Sequence, residues 1–268
     1  MSAHQHSPTD LPDEQWAFLH CLLPQRAWRP GGRGRPPSCD GRGIVNGMLS
    51  RKKTGCQWRM MPPECGHWST ISGSLQRWRR DGVWARLMAT LRPWERRCLG
   101  RQPAPSAGRI DSQTIKTATQ REDLGCDGNK KIKGRTRHML VDTLGVIIAG
   151  VVTAAHTDDR LGWVELLTAY CADGVKRLRK RWVDGASPAE CMEEWGRGVK
   201  QTHKIALEAT TTKEGKGCQV MPWRWAVERT FAWLLNDRRH SRDDERLTVH
   251  SAAMIQIRMI RLLLNLLT

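Results

Sequence analysis

Trp223-Arg-Trp-Ala-Val-Glu-Arg-Thr-Phe-Ala-Trp-Leu234 is the stretch from which the rest of the chain is read. It contains no Gly and, after Pro222, no Pro, so it reads as a helix with Pro222 just ahead of its first turn. Arg224, Glu228 and Leu235 fall at i, i+4 and i+11, on or near one face. One carboxylate among Arg and Trp, in a chain of formal net charge +17, calls for a cation. Two candidates stand open: an i, i+4 ion pair with Arg on a solvated face, or a divalent metal beside a bound polyanion.

The composition favours a polyanionic partner. Lys and Arg number 44 against 27 Asp and Glu, and the pI is about 10.1, which points most simply to nucleic acid. A membrane surface would call for a basic amphipathic anchor or a spanning segment. The long apolar stretch from Leu247 to Leu267 is interrupted by His250, Gln256, Arg258 and Arg261, so it predicts a buried helix and no membrane partner. Met1-Ser-Ala-His-Gln-His6 has no charged n-region or apolar core, so no secretory signal is read. Nine scattered cysteines without a C-x-x-C pair predict reduced thiols and a cytoplasmic location. The 13 Trp against 2 Phe and 1 Tyr can serve either a core or base stacking.

Residues 1–10 read as disordered, and 11–102 as a small all-α region suited to binding DNA. Its expected helices cover 11–23, 40–53, 70–80 (capped by Ser69) and 83–99. A basic arm, Arg29-Pro-Gly-Gly-Arg-Gly-Arg-Pro-Pro37, is either a minor-groove or phosphate-tracking segment or a plain linker. Arg77, Arg79 and Arg80 around Trp78 give the third helix the character of a helix-turn-helix reader. Residues 103–108 read as a linker. From 109 to 268 the pattern becomes β-β-β-α-β-α-β-α-α, a mixed sheet with helices packed on it. Strands are expected at 109–116, 135–142, 146–153, 179–184 and 203–208, with a hairpin turn at Thr143-Leu-Gly145. The helix over 158–172 is expected to bury Leu161, Val164, Leu166 and Leu167, and another is expected over 188–199.

This order places Asp111 within the first strand, Asp184 at the end of the fourth, and Glu228 on the helix after the fifth. Adjacent strands and a helix beside them can gather the three at one edge. Converging carboxylates repel unless a cation joins them, and Mg²⁺, with its preference for hard oxygen ligands, suits that role in phosphoryl transfer. Taken singly, Asp111 and Asp184 also fit turn or cap positions. Asp158-Asp159 reads as a helix cap, and His156 and His203 as ordinary strand or loop residues. Cys126-Asp-Gly-Asn129 lacks the Gly-Lys-Ser/Thr arrangement of a P-loop.

The segments Arg109-Ile-Asp-Ser-Gln-Thr-Ile-Lys116, Lys130-Lys-Ile-Lys-Gly-Arg-Thr-Arg-His-Met-Leu-Val-Asp-Thr-Leu-Gly145, Trp182-Val-Asp-Gly185 and Arg224-Trp-Ala-Val-Glu-Arg-Thr-Phe-Ala-Trp-Leu234 resemble DDE transposases of bacterial insertion sequences. Upstream, Thr54-Gly-Cys-Gln-Trp-Arg59 and Arg77-Trp-Arg-Arg-Asp-Gly-Val-Trp84 resemble the helical region that precedes the catalytic core. The resemblance runs from about residue 11 to 267. It implies an RNase H-like core, preceded by the helical domain. It also implies Asp111, Asp184 and Glu228 as catalytic, metal-holding acids for Mg²⁺ (Mn²⁺ substituting). Arg224 would face a phosphate. The partners implied are double-stranded DNA, both terminal inverted repeats and target, and a homodimer or higher assembly on it, associated with the nucleoid. The expected DNA contacts are Arg224, Arg229, Arg238, Arg239, Lys116, Lys130, Lys131 and Lys133, with Arg77, Arg79 and Arg80 in the helical region. The chain departs from the family pattern at Ser187, where an aromatic is usual nearby, and at Met221 and Leu235, where related enzymes carry Tyr and Lys. Arg238 and Arg239 stand one turn beyond Leu235. The alternative reading is a decayed copy that only binds DNA.

Overall fold

In the computed structural model the described residues are 7–24, 39–119, 121–172, 177–178, 180–184, 197, 206–210 and 222–268. The arm at 29–37, the helix expected over 188–199 (Arg197 apart), His203, Ser187 and Met221 lie outside them. Of the expected disordered N-terminus, residues 7–10 form a turn in which Asp10 accepts from the Ser7 N–H at 3.1 Å.

The helical region comprises α1 (Asp13–His20), α2 (Gly41–Thr54), α3 (Trp68–Arg80) and α4 (Val83–Cys98). Asp40 caps α2 by accepting from the Gly43 N–H at 2.7 Å, and Gly55 ends it in the left-handed region at φ 74°. The cap of α3 is His67, not Ser69: the His67 ring accepts from the Ser69 N–H, and the helix starts one residue before Ser69. Residues 55–67, with two short 3₁₀ turns, separate α2 from α3. That is far longer than the tight turn of a helix-turn-helix, so the reader geometry expected there is not formed.

The sheet follows as β1 (Ala107–Lys116), β2 (Gly125–Asp127), β3 (Ile132–Asp142), β4 (Ile147–Ala154), β5 (Lys180–Asp184) and β6 (Ala206–Thr210). β1, β3 and β4 are antiparallel, whereas β5 and β6 run parallel to β1 on its other side. β2 and β4 share one edge of β3 in succession, β2 at residues 132–134 and β4 at 135–141. β2 was not expected; three residues are too few to show a period. Helices α5 (Asp159–Ala172), α6 (Pro222–Leu235), α7 (Arg238–Ser241) and α8 (Thr248–Leu267) complete the described elements. This is an RNase H-like mixed sheet flanked by helices and preceded by a helical region.

The two faces of the sheet are covered differently. On one, α5 packs over Ile110, Leu140 and Ile148 with Trp163, Leu166, Leu167 and Tyr170. Leu161 and Val164, expected in that interface, are 64% and 41% exposed. Trp163 and Tyr170 fix the helix rotation, since they lie with Leu166 and Leu167 on one stripe and the other two do not. On the other face, α8 lies between α4 and β4. Its Met254, Ile257, Ile260 and Leu264 join a core that includes Leu19, Met48, Ile71, Leu87, Met139 and Phe231. The helical region and the sheet therefore share one hydrophobic core across the 103–108 segment. No described helix is long and apolar enough to cross a membrane.

Buried charge ties these layers together. Arg135 on β3 is fully buried. It donates to the carbonyls of Glu245 and Arg246, each at 2.9 Å, and of Glu122, and pairs with Asp243 at 3.4 Å. Neighbouring Arg137 donates to the His240 carbonyl at 3.0 Å, and burial lowers its pKa to about 10. Replacing Arg135 with Met keeps much of the volume but leaves Asp243 and three carbonyls without that donor. The expected loss is about 3–5 kcal/mol, measured by urea unfolding followed through tryptophan fluorescence. An unchanged midpoint would remove Arg135 from this role.

Candidate active site

α6 is set on the sheet by its apolar stripe. Val227, Thr230, Phe231 and Leu234 are buried at i, i+3, i+4 and i+7. Thr230 donates its hydroxyl to the Gly145 carbonyl at 2.6 Å. Gly145 occupies the left-handed region at φ 77°, and a Cβ there would stand 3.0 Å from the Ala226 carbonyl. The β3–β4 hairpin thus docks directly against α6, and Glu228 is left exposed on the flank of that stripe.

β1 is the central strand. Asp111 pairs in register with Met139 of β3 on one side. On the other side the parallel register with β5 runs through Arg109 and Trp182. Asp111 and Asp184 each lie two residues beyond that last paired position, at the same parity along their strands. Of Asp184 and Arg224 only the backbone position is described.

Asp111 and Glu228 line one cleft of about 700 Å³. The half-buried Asp111 accepts from the Ser112 N–H at 2.7 Å. Asp127, Asp158 and Asp159 also face the cleft, beside Trp163 and Phe231. Asp158 accepts from the Arg160 guanidinium at 2.8 Å, and this bond with the Arg160 N–H holds its carboxyl below the usual range. Burial pushes the Asp127 carboxyl up, but hydrogen bonds from the Lys130 N–H and the Thr114 hydroxyl outweigh it, and the net shift is downward. Behind the cleft wall His138 is fully buried, and burial lowers its pKa to about 4 despite Asp159 nearby. The donors offered to a metal are therefore ionisable carboxylate oxygens, the set that suits Mg²⁺. Among the described residues no group of three possible ligands is close enough to hold an ion. The side chain of Asp184 is not among them.

The structure separates the expected DNA contacts. Lys130 lines the cleft. Lys116, Lys131, Lys133, Arg77, Arg80 and Arg238 are exposed but do not line it, and Arg79 is half-buried. Arg239 is a correction. It is 8% exposed and pairs with Glu245 at 2.7 Å, so its charge is neutralised inside the protein. Of Arg238 and Arg239, Arg238 is the exposed one. Arg229 is half-buried and has partners within the protein. Its guanidinium stacks on Trp225 at 4.2 Å and Trp233 at 4.7 Å, and donates to the Leu144 carbonyl at 2.8 Å. Asp127, Asp158, Asp159 and His156 are cleft residues that the reading for function passed over. No local pattern marks them, because β2 and the β4–α5 connection reach the cleft only through sheet pairing.

A central parallel pair with antiparallel neighbours and an acid-bearing helix across one cleft is an RNase H-like arrangement. Residues 102–266 match the family profile described as "Transposase DDE domain", and residues 11–88 match that described as "Putative transposase of IS4/5 family". The chain belongs to the DDE transposases. It is also similar to the insertion element IS402 uncharacterized 16.2 kDa protein of Burkholderia cepacia. The two are 33% identical over 122 residues, 43% of this chain and 78% of that protein.

Arg229→Gln removes both indole stacks and the bond to Leu144. Cation–π contacts of about 0.5–1 kcal/mol and a hydrogen bond of about 1 kcal/mol predict a loss of roughly 1–2 kcal/mol by urea unfolding. Full retention of stability would show that these contacts contribute nothing to the fold.

Proposed function

We propose that this transposase cleaves DNA strands at the ends of an insertion element and joins the freed 3′ ends to target DNA. Asp111, Asp184 and Glu228 would hold divalent metal, Mg²⁺ or in its place Mn²⁺. A pair of such ions, when bound, activates the attacking oxygen and steadies the leaving oxygen of an in-line phosphoryl transfer. The observation that carries this reading is that Asp111, from the central strand, and Glu228, from α6, line one cleft.

The chain's own residues supply position. β1 and α6 hold their acids on rigid elements rather than on loops, which fixes the distance between them. Arg224, one helical turn before Glu228, is assigned to a scissile-region phosphate through its planar guanidinium fork. Trp163 and Phe231 line the cleft beside the acids. The nucleophiles are a water in the first step and the freed 3′-OH in the second, so no Ser or Tyr nucleophile is required. The exposed Arg77 and Arg80 on α3 and the 11–102 region as a whole are assigned to DNA outside the cleft, on a homodimer or larger assembly.

The deciding experiment is cleavage of a labelled duplex carrying the element's end, with Mg²⁺ or Mn²⁺ and with EDTA. Alanine at Asp111, Asp184 or Glu228 should abolish cleavage and leave duplex binding within severalfold, because losing one negative charge eases approach of a polyanion. Near-normal cleavage by any one variant would exclude that residue from the acid set. Absence of cleavage by the unsubstituted chain, with duplex binding intact, would favour the DNA-binding remnant.

Arg224→Lys separates two roles for the guanidinium. An exposed i, i+4 ion pair contributes about 0–1 kcal/mol, and Lys would replace Arg silently. A bidentate phosphate clamp is lost with Lys. The expected result is a cleavage rate at least ~10-fold lower, about 1.4 kcal/mol of transition-state stabilisation, with an unchanged melting temperature. A wild-type rate would restore the ion-pair role.

A further inference from the structure

The chain is strongly basic, yet its cleft is acidic. Asp111, Asp127, Asp158, Asp159 and Glu228 all line it, and among the described residues Lys130 is the only lysine or arginine that does. Among the described residues a DNA strand entering this cleft meets five carboxylates and one lysine, so the placement of that lysine matters as well as the net charge of the surface.

Lys130 is placed by its surroundings. Asp127, its side chain 14% exposed, accepts from the Asn129 N–H at 3.0 Å, the Lys130 N–H at 2.9 Å and the Thr114 hydroxyl at 2.8 Å. These bonds lock the β2–β3 turn to β1, the strand that carries Asp111. The Lys130 ammonium folds back to the Thr114 hydroxyl at 3.1 Å and stands 3.5 Å from Asp127, while the side chain remains 46% exposed. The next residue, Lys131, is held in the left-handed region at φ 53°, where a side chain with a Cβ rarely settles without outside restraint. Thr136, opposite Thr114 on β3, completes the floor beneath the ammonium.

We propose that the turn at 127–131 is a pre-formed phosphate grip. In it Lys130 binds the backbone of the DNA strand in the acid cleft, and Asp127 is a positioning residue that holds the grip open. The proposal rests on the DNA reading above and adds the point at which the cleft itself engages the strand. A partly exposed ion pair such as Lys130–Asp127 contributes only about 0–1 kcal/mol, so a phosphate can replace Asp127 as the partner of the ammonium. Asp127 then keeps its three remaining donors, and the turn does not collapse. The ammonium moves no proton and forms no bond; its role is electrostatic.

The test is binding of a fluorescent duplex oligonucleotide across a salt series, in a fixed concentration of Ca²⁺, to the full chain and three variants. Lys130→Gln should weaken binding and lower the log–log salt slope by about one, the signature of one lost phosphate contact. Asp127→Asn retains an oxygen acceptor for both N–H groups and removes a negative charge, so it should bind at least as tightly as the unsubstituted chain. Asp127→Ala removes the same charge but releases the turn, and should bind severalfold more weakly than Asp127→Asn. If Asp127 acted only as a repelling charge, both substitutions would strengthen binding alike, and the grip would be overturned. An unchanged slope for Lys130→Gln beside a steep wild-type slope also overturns it, while leaving the DNA reading intact. Duplex binding without salt dependence in the unsubstituted chain would instead sink the DNA reading itself. Melting temperatures of the three variants separate a misfolded Asp127→Ala from a released turn, and the exposed Lys130→Gln decides the matter in either case.

Discussion

A carboxylate buried in protein must meet a cation, and three such acids hold this molecule together. Asp237, Asp243 and Glu245 are 1%, 2% and 8% exposed, and all lie between the end of α6 and the start of α8. Lys52 reaches Asp237 at 2.8 Å from α2, with Arg258 of α8 at 3.4 Å. Arg51 of α2 and Arg239 of α7 share Glu245, and Arg135 of β3 and Ser251 of α8 share Asp243. Burial lowers the Lys52 ammonium to about 8 even with its partner present, which shows how dry this junction is. Removing one member of such a set leaves an uncompensated charge, and that penalty exceeds the strength of the pair itself.

The location of this network bears on the chemistry. It clamps the C-terminal exit of the helix that carries Glu228, and it does so with residues from the helical region, the sheet and the last helix. Lys53 adds a bond to the Asn236 carbonyl at 2.8 Å. From the other side, Thr230 and the β3–β4 hairpin fix the middle of α6. The acid on α6 is therefore held relative to Asp111 by contacts at the middle and the C-terminal end of its helix. The helical region takes part in that positioning whether or not it also touches DNA.

The same network revises what a net charge of +17 means. Arg51, Lys52, Arg96, Arg135, Arg137 and Arg239 are buried, and each has an acid or a backbone carbonyl as partner. The basic motif from Lys130 to Arg137 divides along its length. Its lysines stand at the cleft or on the surface, whereas its arginines face inward and bind the 240–246 segment. A run of positive residues with a single compositional character thus performs two unrelated tasks.

Local sequence was sufficient for most elements. The hairpin at Thr143-Leu-Gly145, the interrupted apolar period of α8, and the order that sets Asp111 on the first strand and Glu228 on the later helix all follow from short-range pattern, because turn chemistry and side-chain period are local properties. What local pattern did not contain is which residues become buried. The rotation of α5 onto Trp163 and Tyr170, the pairing of β2, and the internal roles of Arg135 and Arg137 depend on partners distant in the chain. The parallel pairing of β1 with β5 is of the same kind. Arg135 illustrates the reason: Glu245 lies 110 residues away, and a guanidinium reads identically in sequence whether its acceptor is a phosphate or a buried carbonyl. Tertiary structure alone distinguishes them, since only the fold determines whether water can reach the charge.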